Sequence, residues 1–381
     1  MTDVAATTPA RALLDAVRRR RADFEAAARR AEDERTLPAD VVEMMRDLRL
    51  FWLKTPRELG GAELDPLEFC DVIEEIAYYD ASAAWTAMVG NGTTGTVAGW
   101  LPEEGVREVF AGRDLPICAG QFVARGTAVP VGGGYTVTGR WGFSSGIDHS
   151  GWLVGGCKVA GGEEQILVVV PKSEATCHDT WYVAGLQGTG SGDYSLDGVF
   201  VPAARTLAWP GPAVRGGALF EQPPVLFVSN ELGPVVVGIA RRAIDDMYAL
   251  AGATDRRLNR VSVGERAAFH KDIARAEARV HAASLLYRDA VAETWALAQA
   301  GEEPGPSFVP RMLARHTLVV EECADVVVQI IRYGGGRVLA LSHPEQRHLR
   351  NLLAARQHVY VSEENYELAG RARLSESYPA P

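Results

Sequence analysis

Residues 133–146 read GGYTVTGRWGFSSG, and this stretch decides the fold. Between Gly134 and Trp141 it is rich in β-branched and aromatic residues, with glycines before it, the composition of a strand entered through a tight turn. Trp141 and Phe143 stand two residues apart, so a strand running through both would point them to one face. The flanking sequence repeats this character. Strands are predicted at Trp152–Val159, Glu164–Val170 and Tyr194–Val201, with hairpin turns at Gly132–Gly134 and Gly161–Glu163. Short strands at this spacing predict a small barrel or sandwich.

On both sides the period changes to that of helices. Upstream, Leu13, Leu14, Val17 and Phe24 recur at helical spacing. Pro38 opens a second helix, and Asp65-Pro66 a third, with Asp65 as its cap. Asp80 caps a fourth, which carries Trp85 and runs towards Asn91. Downstream, segments near 230–251, 264–299, 307–333 and 344–369 each carry an apolar face, and four long helices with short breaks predict an antiparallel bundle. The chain therefore reads as α+β, mostly α. An N-terminal α-helical domain is expected over 1–112, a central β domain over 113–212, and a C-terminal four-helix bundle over 213–381.

Composition narrows the function. The chain has 381 residues and a net charge of −10, which argues against a nucleic acid or an anionic membrane as partner. No apolar run reaches the ~20 residues of a membrane helix, and the N-terminal stretch lacks the pattern of a secretory signal. The five cysteines are widely spaced without a CxxC pair, so they read as reduced thiols of a cytoplasmic chain. No histidines or carboxylates show metal spacing, and no metal is expected. Gly142–Gly146 formally matches G-x-S-x-G, with Asp148 and His149 following. A hydrolase elbow requires a helix next, whereas a further strand is predicted here, so that reading is set aside.

The helical–β–helical order, with several local motifs, resembles the acyl-CoA dehydrogenase fold along nearly the whole chain. The motifs are Thr55–Gly61, Gly133–Gly146, Gly185–Ser191, Leu196–Pro202, Tyr333–Gly336 and Arg347–Arg350. Acyl-CoA dehydrogenases carry a catalytic glutamate about nine residues after the C-terminal arginine; here that stretch, Arg350–Tyr360, contains His358 instead. With W-x-F-x-S-G at Trp141, Phe143, Ser145 and Gly146, the pattern is similar to the two-component flavin monooxygenases of this fold (class D), such as the oxygenase component of 4-hydroxyphenylacetate hydroxylase.

The resemblance implies an oxygenase component that uses reduced flavin (FMNH2 or FADH2) and O2, through a C4a-hydroperoxyflavin, to hydroxylate a small organic substrate on carbon or nitrogen. It implies a separate NAD(P)H:flavin reductase and a homotetramer. His358 and Ser145 occupy the family's catalytic positions, each as a hydrogen-bond donor towards the flavin. Trp141 and Phe143 stack beside the flavin or form plain barrel core. Ser144, Gly146, Gly188, Thr189, Gly190 and Ser191 offer small groups to flavin or phosphate oxygens, or make turns. Gly334, Gly335 and Arg350 approach a flavin phosphate or serve structure alone. Asn91 and Trp85 are placed at the substrate, although helix capping suits Asn91 as well. Other substrate contacts are expected from 86–100, 205–230 and 250–265. Arg350 is followed by Asn351 where the family often has aspartate. Two alternatives remain: a dehydrogenase or oxidase whose base is Glu363 or Glu364, and a non-catalytic homologue.

Overall fold

The structure is a computed structural model and describes residues 9–253 and 261–377, so part of the 250–265 loop, residues 254–260, lies outside the described residues. Six helices come first: α1 (Pro9–Arg19), α2 (Arg21–Glu34), α3 (Ala39–Asp47), α4 (Pro66–Tyr79), α5 (Ala81–Trp100) and α6 (Glu103–Val109). The expected caps form. Asp65 Oδ1 accepts from Leu67 N–H at 2.8 Å, and Asp80 Oδ1 accepts from Ser82 and Ala83 N–H at 2.8 and 3.3 Å.

Helix α5 runs well past Asn91, to Trp100. Its glycines disfavour helix by propensity, but neighbours lie directly on them. A Cβ on Gly90 would sit 3.3 Å from the Phe51 ring, on Gly95 3.0 Å from Phe227, and on Gly99 2.4 Å from Phe220. Close tertiary packing overrides the propensity, and nineteen of the twenty residues of α5 are buried.

Seven strands follow: β1 (Cys118–Val131), β2 (Gly134–Trp141), β3 (Trp152–Val159), β4 (Gln165–Pro171), β5 (Thr176–His178), β6 (Asp193–Pro202) and β7 (Thr206–Ala208). They make one sheet in the order β5-β6-β2-β1-β3-β4-β7, antiparallel except for β1 with β3. Strand β1 escapes sequence reading because Gly120, Gly126 and Pro130 interrupt its pattern. The glycine at 126 has a reason. Trp141 is wholly buried, and a Cβ on Gly126, Gly139 or Gly155 would fall 2.3, 2.6 or 2.7 Å from its indole. The indole stacks on Tyr194 at 5.1 Å and donates to Gly156 O at 2.8 Å. Val154, Leu167 and Val169 pack on the opposite side with Trp100 and α6.

The last part holds α7 (Pro224–Ser229), α8 (Leu232–Ala253), α9 (Ala267–Ala300), α10 (Phe308–Ile331), α11 (Pro344–Ala355) and α12 (Glu364–Ser377). The long helices α8, α9 and α10 pack on one another. The single helix expected over 344–369 is broken into α11 and α12. Asn365 Nδ2 holds the break open by donating to Tyr360 O (2.9 Å) and Thr317 Oγ1 (3.0 Å). His358 therefore sits in a connection, not on a helix.

Gly126→Ala is expected to destabilise the chain by about 1–3 kcal/mol by crowding Trp141. Gly132→Ala, which meets no atom within 4 Å, should stay within about 0.5 kcal/mol. Urea unfolding midpoints of the two variants check both values.

Candidate active site

Strand β2 ends at Trp141, and the chain then turns sharply. Phe143 has φ +58°, a left-handed conformation that costs a non-glycine residue on the order of 1 kcal/mol or more. The reversal separates two side chains expected on one face. Trp141 is enclosed in the sheet core, so its place beside a flavin is withdrawn. The Phe143 ring is 68% exposed, with Trp181 edge-on at 6.0 Å.

The turn is pinned from two sides. Ser144 N–H donates to Gly192 O (3.2 Å) and Gly146 N–H to Thr189 O (2.8 Å). Opposite, Gly146 has φ +75°, and a Cβ there would lie 2.9 Å from Thr86 Cγ2 of α5. Within this clamp runs a chain of buried hydroxyls. Trp85 Nε1–H donates to Ser145 Oγ at 3.2 Å, Ser145 Oγ bonds Ser191 Oγ at 2.8 Å, and Ser191 Oγ bonds Thr189 Oγ1 at 2.7 Å. Thr189 Oγ1–H donates to Leu186 O at 2.8 Å. Thr189 and Ser191 thus spend their hydroxyls on one another. The segment forms a short turn at Gln187–Thr189, with Gly188 pressed against Ala31 and Ser82, and Gly190 at φ +55°.

His358 stands edge-on to Trp85, ring centroids 5.5 Å apart, with Tyr360 on its other side at 5.4 Å. Trp85 therefore touches both residues expected at the catalytic positions. Burial pulls the His358 pKa down to about 4 and lifts the Tyr360 phenol to about 12. His358 is half-buried as a residue, and the surrounding protein strips enough water from the imidazole to hold it neutral at pH 7. Tyr360 N–H approaches Nδ1 at 3.4 Å, which leaves the proton on Nε2.

Other expected site residues hold the frame. Asn91 is buried with every valence filled: Oδ1 accepts from Leu53 N–H (2.6 Å) and Lys54 N–H (3.1 Å), while Nδ2 donates to Leu50 O (2.6 Å) and Ala87 O (2.8 Å). It has nothing left for a substrate. Arg350 pairs with Glu32 at 2.6 Å, Gln346 at 2.6 Å and the Ala184 carbonyl, so its guanidinium is engaged within the chain. Asn351 Oδ1 accepts from Leu186 N–H at 2.8 Å, a neutral acceptor where the resemblance expects a carboxylate. Gly334 and Gly335 lie in the stretch after α10, beside Tyr333, whose hydroxyl donates to Asp272 at 2.7 Å. His149 faces Thr36 Oγ1 at 3.1 Å while Ser145 bonds Ser191 and Trp85, so no hydrolase triad forms. Glu363 and Glu364 are exposed.

Two residues escaped sequence reading, Thr86 and Trp181, while Ser144 was expected on the cofactor side. The Thr86 and Ser144 hydroxyls at this turn are buried without a partner among the described residues. Trp181 lines a cleft of about 350 Å³ with Arg35, Asp148, Asp179 and Gly190. No local motif marks Thr86 or Trp181; only the fold gathers them. The exposed Phe143 ring with Trp181 edge-on beside it suits a planar aromatic ligand, as an isoalloxazine is.

Models of the acyl-CoA dehydrogenase N-terminal and C-terminal domains match residues 7–104 and 231–363, together more than half of the chain. The chain belongs to the acyl-CoA dehydrogenase family. Within this family, indole-3-acetate monooxygenase of Pseudomonas putida is 28% identical over 94% of this chain and 91% of its own length. The oxygenase component of the FADH2-dependent resorcinol hydroxylase of a Rhizobium sp. is 29% identical, over 89% and 88%. Flavin-dependent monooxygenase oxygenase subunit HsaA of Rhodococcus jostii is 29% identical, over 87% and 90%. Among solved structures, XiaF from Streptomyces sp., in complex with FADH2 and glycerol, superposes with TM-score 0.89 at 24% identity, covering 98% of this chain and 97% of that one. KijD3 in complex with FMN and a dTDP-sugar superposes with TM-score 0.82 at 20% identity, covering 98% and 95%.

A histidine whose folded pKa is about 4, against 6.5 unfolded, makes the fold lose stability as pH falls through that window. The unfolded chain takes up a proton there that the folded chain refuses. The His358 imidazole resonance is expected to stay unmoved from pH 8 to about 5.5 in an NMR titration. A His358→Asn variant should lose less stability than wild type between pH 6.5 and 4, read from melting temperatures.

Proposed function

We propose that this chain is the oxygenase component of a two-component flavin-dependent monooxygenase acting on a small aromatic substrate. The observation that carries this is the neutral His358 imidazole against Trp85, in the stretch where the family's dehydrogenases carry a glutamate. The naming of full-length relatives as flavin-dependent monooxygenases or oxygenase components supports it. Bound reduced flavin supplies two electrons to O2, so that one oxygen atom enters the substrate and the other leaves as water.

The chain's own residues set the conditions. Phe143 offers the flat face on which the flavin ring stacks. Ser145 meets the ring's polar edge. His358 Nε2–H is a donor that stays a neutral imidazole, so it orients an oxygen atom without releasing a proton into the site. Trp85 and Tyr360 wall the imidazole from water, which suppresses loss of reducing equivalents as peroxide. The indole and resorcinol in the relatives' names, with the aromatic walls here, favour a flat aromatic substrate.

Reduced FMN or FADH2 arrives from a separate NAD(P)H-dependent reductase. The exposed Leu318 and Val328 on α10 favour a homotetramer built through the C-terminal helices. Among the described residues no helix is long and apolar enough to cross a membrane, and the five cysteines are free thiols, which suits a cytoplasmic enzyme. A dehydrogenase reading is weaker, because Glu363 and Glu364 both face solvent.

Reduced flavin, oxygen-18 gas and a panel of phenols and indoles test the proposal. One labelled oxygen atom is expected in the product. Flavin oxidation that yields only peroxide with every substrate, or bleaching of oxidised FAD by acyl-CoAs, would overturn it. His358→Ala is expected to cut product per flavin oxidised by about tenfold or more, with peroxide making up the difference.

A further inference from the structure

Helix α5 carries Trp85 and α11 leads to His358, and the two helices meet at a buried charge cluster. Asp80 at the start of α5 is 3% exposed, and Glu32 of α2 is 7% exposed. Glu32 takes Arg350 of α11 at 2.6 Å and Arg347 at 3.9 Å. Arg347 and Glu32 both act on Asp80, the first favouring its ionised form and the second opposing it. On the remaining sides, Gly188 presses on Ser82, and Asp246 of α8 is already paired with Arg242 and His348. Asp80 Oδ1 accepts from Ser82 and Ala83 N–H, whereas Oδ2 is buried with no hydrogen-bond partner among the described residues. A neutral asparagine would cap α5 as well, and a buried charge is costly, so capping gives no reason for a carboxylate here. The bare Oδ2 is the atom that takes a proton.

We propose that Asp80 is a positioning residue for the candidate site: its charge, answered by Arg347, holds the start of α5 to α11, and a proton on Oδ2 loosens that hold and the Trp85–His358 contact with it. This rests on the reading of that contact as part of the oxygenase site. With Asp80 ionised, Arg347 and Arg350 face two carboxylates; with the proton added they share Glu32 alone. Burial raises the Asp80 pKa to about 6, so the change falls at higher pH than the titration of His358, whose pKa is about 4. A carboxyl whose folded pKa lies above its unfolded value of 3.8 stabilises the fold when protonated, and that contribution is lost as pH rises through the folded pKa. At neutral pH the chain therefore keeps this charge at a cost in stability.

The test is Asp80→Asn, read by the fluorine resonance of fluorotryptophan at position 85 (assigned with Trp85→Phe) and by product per flavin oxidised. In wild type the resonance is expected to shift as pH falls from about 7.5 to about 5, and in Asp80→Asn to stand still. At a pH of about 7.5 the variant should melt about 2 °C or more above wild type, a gap that closes by about pH 5. At the higher pH its product per flavin oxidised is expected to fall about threefold or more. A residue that served only as a helix cap would not combine higher stability with poorer coupling. Arg347→Met should move the midpoint of the resonance shift to higher pH, because ionised Asp80 loses its counter-charge, and Arg347→Lys should restore it. These two variants carry the test should Asp80→Asn fail to fold. A resonance shift that persists in Asp80→Asn, or a midpoint that Arg347→Met leaves in place, overturns the proposal. Absence of product from wild type overturns the flavin reading alone, and the resonance still decides whether Asp80 sets the position of Trp85.

Discussion

The close burial of α5 is the constraint on which the rest of this molecule depends. A helix enclosed on every side cannot carry large residues all round, because neighbouring backbones must approach it. Alanine, glycine and threonine fill most of Ala81–Trp100. At Gly90, Gly95 and Gly99 the rings of Phe51, Phe227 and Phe220 fill the space a side chain would need, and at Gly92 Glu231 and Val228 do. This packing lets α5 touch the first helices, the sheet and the last helices at once. Asn91 adds polar stitching, since three hydrogen bonds tie the helix to the 50–54 segment and a fourth returns to Ala87 O of the same helix. In a dry interior each of those groups would otherwise cost on the order of 1–3 kcal/mol.

The candidate site grows from the same helix. Trp85, one turn into α5, donates to Ser145 and presses its ring against His358, so one indole sets the spacing of two groups from distant parts of the chain. The arrangement is braced from behind. Asn351 at the end of α11 accepts from Leu186, whose carbonyl in turn receives the Thr189 hydroxyl. The helix leading to His358 and the hydroxyl chain leading to Ser145 are thereby fastened to one residue. Hydrogen bonds of this kind have little freedom, because each donor and acceptor is committed.

Burial also chooses the charges. Desolvation keeps His358 neutral, which leaves one N–H donor beside the Trp85 and Tyr360 rings. A second buried polar group stands apart: Lys54 and Glu231 pair beneath α5, and burial lifts the Glu231 carboxyl to about 7. Only a cavity of about 10 Å³ adjoins them, room for no more than a water, so this pair reads as scaffold rather than site.

Much of this was legible in the residues alone. The Asp65 and Asp80 caps, the glycine turns, and the helical–β–helical order follow from local chemistry, since a cap or a strand needs only its own neighbours. Ser145 and His358 could be singled out by motif spacing, while Trp85, expected at the substrate, stands against both of them. Tertiary structure decided what local rules could not. The left-handed turn at Phe143 sent Trp141 into the core and its neighbour's ring to the surface, against a two-residue period that would have kept them together. Packing against phenylalanines carried α5 through its glycines, and Asn365 broke a helix whose apolar period ran on. The hydrogen bonds of the Ser145 hydroxyl depend on Ser191 and Trp85 meeting it in space. Periodicity and motif record what a residue is and how it is spaced along the chain; a hydrogen bond's direction belongs to partners that only folding brings together.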